Sequence, residues 1–392
     1  MAKATVENKG SKWAVAIIFA VWAVALIAVF LTYRGADVGQ LPNLLGNLGG
    51  GPVFGFEGFR DSLFGGVIAV AIGISWFGLG SFASSFIKVS PGDGHSHLLE
   101  LAMKTAIGAA IWSLIWFFLG IAGAYSSISA VIALVVGMGF AGLIFTRVRT
   151  VRDESRVPEK PSGFDKVLIG LITVPVLLAL IASLAPPTAK DTLLYHFALP
   201  KAFIAQGNNA FIEGNIASFL ALGTEMHTVW AMLLGGFVSQ RSGEAAAGAT
   251  IFLFFPILLL AIFGWSRELK IERSWSLLAV LIFAAVPTAF HVASSGYADL
   301  GLALYVTLAI YALGRWWKSE ENGWLILIAI FLGAALSVKL TTLFVIAAFA
   351  LVILLRVRKA KAESGNVGKI FVGGFAALIA AGFVAADRKS VV

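Results

Sequence analysis

The chain reads DKVLIGLITVPVLLALIASLAPPTAKDTLLYH over residues 165–196, and this stretch decides both its fold class and where its chemistry lies. Residues 165–185 form an apolar run long enough to cross a hydrocarbon core of about 30 Å. Two prolines end the run, and Asp191, Tyr195 and His196 follow shortly after it. Ionisable side chains beside a membrane helix are favourable only where they reach water or a partner, so this junction predicts a functional site.

Similar apolar runs recur along most of the chain. Hydrophobic residues make up 59% of the sequence and charged residues 13%, which is well below the roughly 25% charged residues of soluble domains. The pattern predicts an all-α, polytopic helical membrane protein with about eleven transmembrane helices. We expect them near residues 13–31, 62–88, 101–122, 127–146, 165–185, 246–265, 275–291, 299–315, 323–338, 341–356 and 368–386.

The distribution of basic residues sets the expected orientation. They cluster near the amino terminus, at 147–166, 267–273, 315–318 and 356–361, and the positive-inside rule makes these segments cytoplasmic. That orientation holds only if residues 216–238, which include Glu225 and His227, do not cross the membrane. We therefore predict a re-entrant or interface-lying helix there, on the outer face. The net charge of +8 then reflects orientation and contact with membrane lipid, and it requires no nucleic-acid partner.

The polar linker from Thr146 to Lys166, with Pro158 and Pro161, divides the chain in two. Residues 1–150 form an amino-terminal helical membrane module whose role the sequence leaves open, and residues 151–386 form a second module. The last six residues, 387–392, can be encoded by the text of a common sequencing adapter. We expect them to be an artefact and the natural protein to continue beyond Ala386.

Two further ionised positions are expected at the outer face with Asp191. Asp299 precedes an apolar run, and Glu225 lies in the segment that we keep out of the membrane. Either aspartate could instead cap the helix that follows it, since Asp is favoured at that position. Lys339 lies between two apolar runs, where it would either neutralise an anion or extend its ammonium to the interface.

The motifs that carry these residues resemble a known superfamily. They are DTLLYHFALPK at 191–201, GTEM at 223–226, YADLGLALY at 297–305 and SVKLT at 337–341. In this order they look like the GT-C superfamily of integral-membrane glycosyltransferases, close to its Rgt-type and protein-mannosyltransferase-like branch. The resemblance covers about residues 165–360, and residues 1–150 do not share it.

The resemblance implies transfer of a sugar from a polyprenyl-phosphate-type donor to a glycan, lipid or protein acceptor, with inversion at the anomeric carbon. It gives Asp191 the role of general base and assigns Asp299 to the acceptor or to a cation beside the phosphate. The residues it implies for substrate binding are Tyr195, His196, Glu225, Tyr297 and Lys339. His196 could equally be a packing residue. The cofactor is unknown: Mg²⁺ or Mn²⁺ would suit the carboxylates, but many relatives work without a metal.

Such an enzyme would be a multi-pass protein of the bacterial plasma membrane, with a cytoplasmic amino terminus and an extracytoplasmic active site. Two other functions share this composition, namely a transporter or flippase for lipid-linked saccharides and a polysaccharide polymerase. In a transporter we would expect charged residues and broken helices at mid-membrane. In this chain the acidic residues are instead expected at the outer ends of the helices. A polymerase would more naturally use arginines on a large outer loop, and Arg34, Arg60 and Arg241 are scattered.

Overall fold

The structure, a computed structural model, describes residues 9–40, 42–43, 55–90, 96–148, 160–362 and 367–384. These ranges are helical, with turns between the helices and no strand among them. The α-helices are α1 (Lys9–Gly39), α2 (Phe56–Ser84), α3 (His97–Ile121), α4 (Ser127–Val148), α5 (Gly163–Leu184), α6 (Ala198–Gln206), α7 (Glu225–Gly235), α8 (Gln240–Phe252), α9 (Phe254–Glu268), α10 (Arg273–Ala284), α11 (Pro287–Ser294), α12 (Asp299–Ser319), α13 (Asn322–Val338), α14 (Thr342–Ala362) and α15 (Val367–Val384). A π-helical turn spans Thr192–His196, and a 3₁₀ turn spans Ile216–Phe219.

The chain forms two units, which divide between residues 59 and 60. The first contains α1 and the start of α2, and the second contains the rest of α2 and every later helix. This division differs from the module boundary predicted near residue 150. Most of the predicted linker (149–159) and the suspected artefact (387–392) lie outside the described residues.

Several helices are long and apolar enough to span a membrane. In the described ranges six qualify: Phe56–Ser84, His97–Ile121, Ser127–Thr146, Gly163–Leu184, Gln240–Glu268 and Asp299–Ser319. The pair Arg273–Ala284 and Pro287–Ser294, bent by 67°, makes a seventh if it is counted as one span. The other four of the eleven predicted spans fall on α1, α13, α14 and α15. The protein is therefore helical and of membrane type, and the count of eleven stays a prediction.

One end of the helix bundle of the second unit collects the basic clusters, and we call it the basic end. There Ser274 at the start of α10 donates a hydrogen bond of 2.7 Å to Asp165 at the start of α5. Arg315, near the end of α12, donates to the backbone of Ser90 beyond α2. The basic clusters described for this unit, at 160–166, 267–273, 315–318 and 356–361, thus lie at one end of the bundle. That this end faces the cytoplasm stays a prediction.

Residues 185–240 begin and end at the opposite end of the bundle. Arg241 at the start of α8 donates a hydrogen bond to the carbonyl of Leu184, the last residue of α5. The segment begins and ends at the same end of the bundle, as expected for a segment that does not cross the membrane; its topology stays a prediction. The interface-lying option does not hold for α7, however. A helix lying at an interface exposes one face, whereas all eleven residues of α7 are buried.

The core around α7 is rich in large aromatic side chains. The indole of Trp230 is fully buried and donates a 3.0 Å hydrogen bond to the carbonyl of Ala130 in α4. Its ring lies 4.8 Å from that of Trp112 in α3. Trp230 therefore anchors α7 inside the bundle.

Candidate functional site

The site begins at the π-helical turn that follows α5. In this turn the backbone N–H of Phe197 donates to the carbonyl of Thr192, five residues earlier, at 2.9 Å. The wider spacing per turn brings Asp191, Tyr195 and His196 toward one face, and π-turns of this kind are frequent at functional sites. Thr192 ties the turn to the rest of the bundle by donating a hydrogen bond to the carbonyl of Ser295.

Asp191 is the residue for which capping was the competing explanation. It occupies the capping position of the π-helical turn, but its side chain makes no capping hydrogen bond. The carboxylate is partly exposed and forms no hydrogen bond or ion pair with the described residues. Its structural role is therefore small, and the group is available to a ligand.

A buried pair links the π-helical turn to α7. Nδ1 of His196 lies 2.5 Å from Oε1 of Glu225, and only 8% and 3% of the two side chains are exposed. The second carboxylate oxygen, Oε2 of Glu225, is buried without a hydrogen-bond partner among the described residues. With Nδ1 engaged, Nε2 is the imidazole nitrogen left for a ligand. Burying such a pair costs desolvation free energy, which only a well-formed contact offsets. Chance is therefore a poor explanation for the position of these two side chains.

Close packing at Gly223 fixes the start of α7. Its carbonyl accepts a 2.6 Å hydrogen bond from Ser113 in α3, and its N–H donates to the carbonyl of Ser337 in α13 at 2.8 Å. A Cβ at this position would lie 2.4 Å from the hydroxyl of Ser337, so a side chain cannot be accommodated without movement. Glu225, two residues later, is thereby held between α3 and α13.

Asp299 is the first residue of α12, and the N-cap position before it is taken by Ala298. Its carboxylate instead lies 2.5 Å from the ammonium of Lys339, which follows α13. Roughly half of each side chain remains exposed, 41% for Asp299 and 47% for Lys339. The turn before α12 depends on Gly296, whose φ of +70° is left-handed and favours glycine. Lys339 thus has a carboxylate partner that neither of its sequence-based explanations included.

A row of rings crosses the site. The centroids of Tyr195 and His196 are 4.2 Å apart, and those of His196 and Tyr297 are 5.3 Å apart. Tyr297 continues the row to His291 of α11, edge to face at 5.5 Å. The sequence predicted the first three residues as site members but missed His291. In the sequence, His291 is recognisable only as a histidine near the end of an apolar run. That context does not distinguish a site residue from a surface residue.

The phenol of Tyr195 lies within the field of three carboxylates. Burial raises the pKa of Tyr195 to about 12, and the negative charges of Asp191, Glu225 and Asp299 act in the same direction. All three acids predicted to converge are therefore close enough to affect one hydroxyl group. Since that hydroxyl stays protonated near neutral pH, it can donate a hydrogen bond but cannot serve as a base.

The acids do not form a metal site by themselves. In the described part of the chain, no three His, Asp or Glu side chains lie close enough together to hold a metal ion. Asp191, Glu225 and Asp299 therefore surround Tyr195 without sharing one coordination sphere. A divalent cation at this place would need ligands from a substrate as well.

An apolar cavity of about 180 Å³ adjoins the site. It lies between α3, the segment before α7 and the corner that joins α13 to α14. Its walls include Ser113, Phe117, Leu220, Met226, Ser337 and Leu340. Ser337 and Leu340 lie on either side of Lys339 in sequence, so the cavity adjoins the corner that carries Lys339.

Comparison with protein families gives one result. The model of the family described as Domain of unknown function (DUF8201) matches residues 67–384. The chain belongs to this family. The DUF8201 match runs from α2 to α15, so it includes every site residue above and continues across residue 150. No curated protein matches the chain, and no solved structure matches it.

Proposed function

We propose that the protein is a membrane glycosyltransferase that moves a sugar from a polyprenyl-phosphate-type donor to an acceptor at the extracytoplasmic face. One observation carries the proposal. Asp191 has no hydrogen bond or ion pair among the described residues, yet it lies beside a phenol that Glu225 and Asp299 also influence. An uncommitted carboxylate in a partly buried polar site is what a general base requires.

In the proposed reaction Asp191 accepts the proton of the acceptor hydroxyl as its oxygen attacks the anomeric carbon. The bond between that carbon and the phosphate oxygen breaks, and the polyprenyl phosphate leaves with the bonding electrons. One carboxylate suffices for inversion, without a covalent intermediate. General base catalysis of this kind contributes about 10²–10⁴-fold in rate.

Lys339 would bind the donor phosphate. Its ammonium is half exposed, and among the described residues it pairs only with Asp299, so an incoming phosphate can compete for it. Once the phosphate takes the ammonium, Asp299 is free to accept a hydrogen bond from the acceptor. The adjoining apolar cavity would receive the first part of the lipid chain. Hydroxyl and ring faces of Tyr195 and Tyr297 would contact the sugar, since both rings flank the buried His196.

The proposal is tested by transfer in a purified system. The chain, in detergent, is incubated with a panel of radiolabelled polyprenyl-phosphate sugars and bacterial membrane extract as the source of acceptor. We expect release of polyprenyl phosphate from at least one donor by the wild type, and at least about 100-fold less by Asp191→Asn. A flippase would bind a donor without releasing its phosphate, and a protein that neither binds nor cleaves any donor would refute the proposal.

A further inference from the structure

A second cavity lies at the basic end, remote from the candidate site. Its volume is about 840 Å³, which is within the usual range of ligand sites. It extends along α2 from Phe77 to Ser85, a distance of about 12 Å at 1.5 Å per residue. The inner walls are apolar and include Phe77, Met103, Ile107, Ile144 and Leu327.

The cavity contains a hydroxyl group that has no partner. Ser81 is 4% exposed, and its Oγ makes no hydrogen bond within the described residues. Ser84, one turn later, shows the usual solution, because its hydroxyl donates to the carbonyl of Gly80 at 2.6 Å. A buried donor without an acceptor costs about 1–3 kcal/mol, so the hydroxyl of Ser81 indicates an acceptor supplied by a ligand.

A second donor lines the same cavity. The indole N–H of Trp324 is buried and makes no hydrogen bond of normal geometry in the described part of the chain. The carboxylate of Glu321 also interacts with this indole. Two donors in a cavity whose inner walls are apolar favour a ligand with carbonyl oxygens on an apolar body. A polyprenyl chain has no such oxygen, so these donors do not suit it.

The mouth of the cavity carries acids and bases in balance. Glu100 pairs with Lys104 at 2.5 Å. Glu268 accepts a 2.7 Å hydrogen bond from Tyr311 and lies 3.9 Å from Arg315. Among the described residues these two acids and two bases balance, so the four side chains together carry no net charge. A headgroup that carries both charges fits this pattern better than an anionic one.

We propose that this cavity binds one acyl chain of a zwitterionic phospholipid, whose ester carbonyl accepts a hydrogen bond from Ser81 and whose headgroup lies between Glu100, Lys104 and Arg315. The apolar walls cover the acyl chain. Trp324 supplies the second hydrogen-bond donor at the level of the lipid's ester carbonyl groups. The lipid would bind at the basic end whether or not the opposite end transfers sugars.

The test measures lipid binding to the purified chain by native mass spectrometry in detergent. Phosphatidylethanolamine, phosphatidylglycerol and polyprenyl phosphate are added at matched concentrations. We expect the wild type to bind phosphatidylethanolamine at least ~5-fold more tightly than the other two, and Ser81→Ala to lose about that factor. Ser84→Ala is the matched control, because its hydroxyl bonds within its own helix, and it should bind as the wild type does.

Three outcomes would overturn the proposal. They are equal phosphatidylethanolamine binding by Ser81→Ala and Ser84→Ala, binding of phosphatidylglycerol as tight as that of phosphatidylethanolamine, and displacement of phosphatidylethanolamine by polyprenyl phosphate. Far-UV circular dichroism checks that both variants are folded. If Ser81→Ala is unstable, the same comparison is made with Trp324→Phe, which removes the other donor.

Discussion

The ammonium of Lys339 lies 2.5 Å from the carboxylate of Asp299, although forty positions separate them in the chain. This contact joins the corner after α13 to the first turn of α12. Because both side chains are about half exposed, the pair contributes only about 0–1 kcal/mol to stability. Its position beside the three carboxylates therefore bears more on ligand binding than on folding.

We expect Lys339→Met to raise the apparent KM for a polyprenyl-phosphate sugar about 10-fold while leaving the melting temperature nearly unchanged. The methionine keeps the apolar stem and removes only the charge that would bind phosphate. Lys339→Arg should recover part of the lost donor affinity. The recovery is incomplete because the planar guanidinium group does not fit well in a site shaped for a compact ammonium. Donor saturation curves and thermal unfolding provide the two measurements.

Lys201→Met is the matched control for this prediction. Lys201 forms a comparable pair with Glu244, at 2.6 Å and with 38% of its side chain exposed. If charge loss in general were responsible, both variants would change the KM for the donor equally. Equal donor affinity in Lys339→Met and the wild type would remove Lys339 from the site.

Asp191→Asn should reduce transfer at least 100-fold without weakening donor binding. Asparagine has the shape of aspartate and caps helices as well, but it cannot accept the proton. Since Asp191 makes no capping hydrogen bond, loss of a cap cannot explain such a result. Turnover is measured at saturating donor, and binding is measured with free polyprenyl phosphate. Near-normal turnover would show that another group is the base.

Much of the site's location follows from sequence, and most of its pairing does not. The charge pattern placed Asp191, Glu225 and Asp299 at one end of the bundle, and all three influence Tyr195. The pairs His196–Glu225 and Lys339–Asp299 were not foreseen, because they depend on how helices pack across 29 and 40 positions. Hydrophobic periodicity indicates which face of a helix is buried, but it does not indicate which helix packs against that face.

The helices show the same difference between what the sequence predicts and what it does not. The apolar runs located every helix that qualifies as a span, because a run of that length has few alternatives. The burial of α7 was not foreseen, since a short helix with Glu225 and His227 reads as polar. Glu225 is instead paired with His196, and His227 packs against the rings of Trp76 and Phe254.

Glu225 should act through His196. We expect Glu225→Ala and His196→Ala each to lower stability, and the double variant to lose about 1–3 kcal/mol less than the sum. The reason is that each single change leaves a buried polar partner unpaired. Glu225→Gln, which can still accept from Nδ1–H, should restore most of the stability. Urea unfolding of the four proteins gives the coupling energy, and additive effects would mean that the two side chains act independently.

Tyr195 should remain protonated in the folded protein well above pH 10. Burial and the three carboxylates raise its pKa to about 12. The stability linked to this shift is fully present below pH 10 and is lost as the pH rises through 12. The difference in absorbance at the tyrosinate band between wild type and Tyr195→Phe isolates this group among the six tyrosines. A transition in that difference near pH 10 would contradict the burial.

The path of residues 185–240 makes a prediction about membrane sides. Since Arg241 contacts Leu184 and Asn215 donates to the carbonyl of Leu194, positions 216 and 240 should face the same side of the membrane. The 392-residue sequence contains no cysteine, so Ile216→Cys and Gln240→Cys each provide a single thiol, and both positions are exposed. An impermeant maleimide should label both in intact cells. Glu272→Cys, exposed at the basic end, should react only after the cells are opened. Labelling of Gln240→Cys only in opened cells would place residues 216 and 240 on opposite sides, which is incompatible with the observed contact.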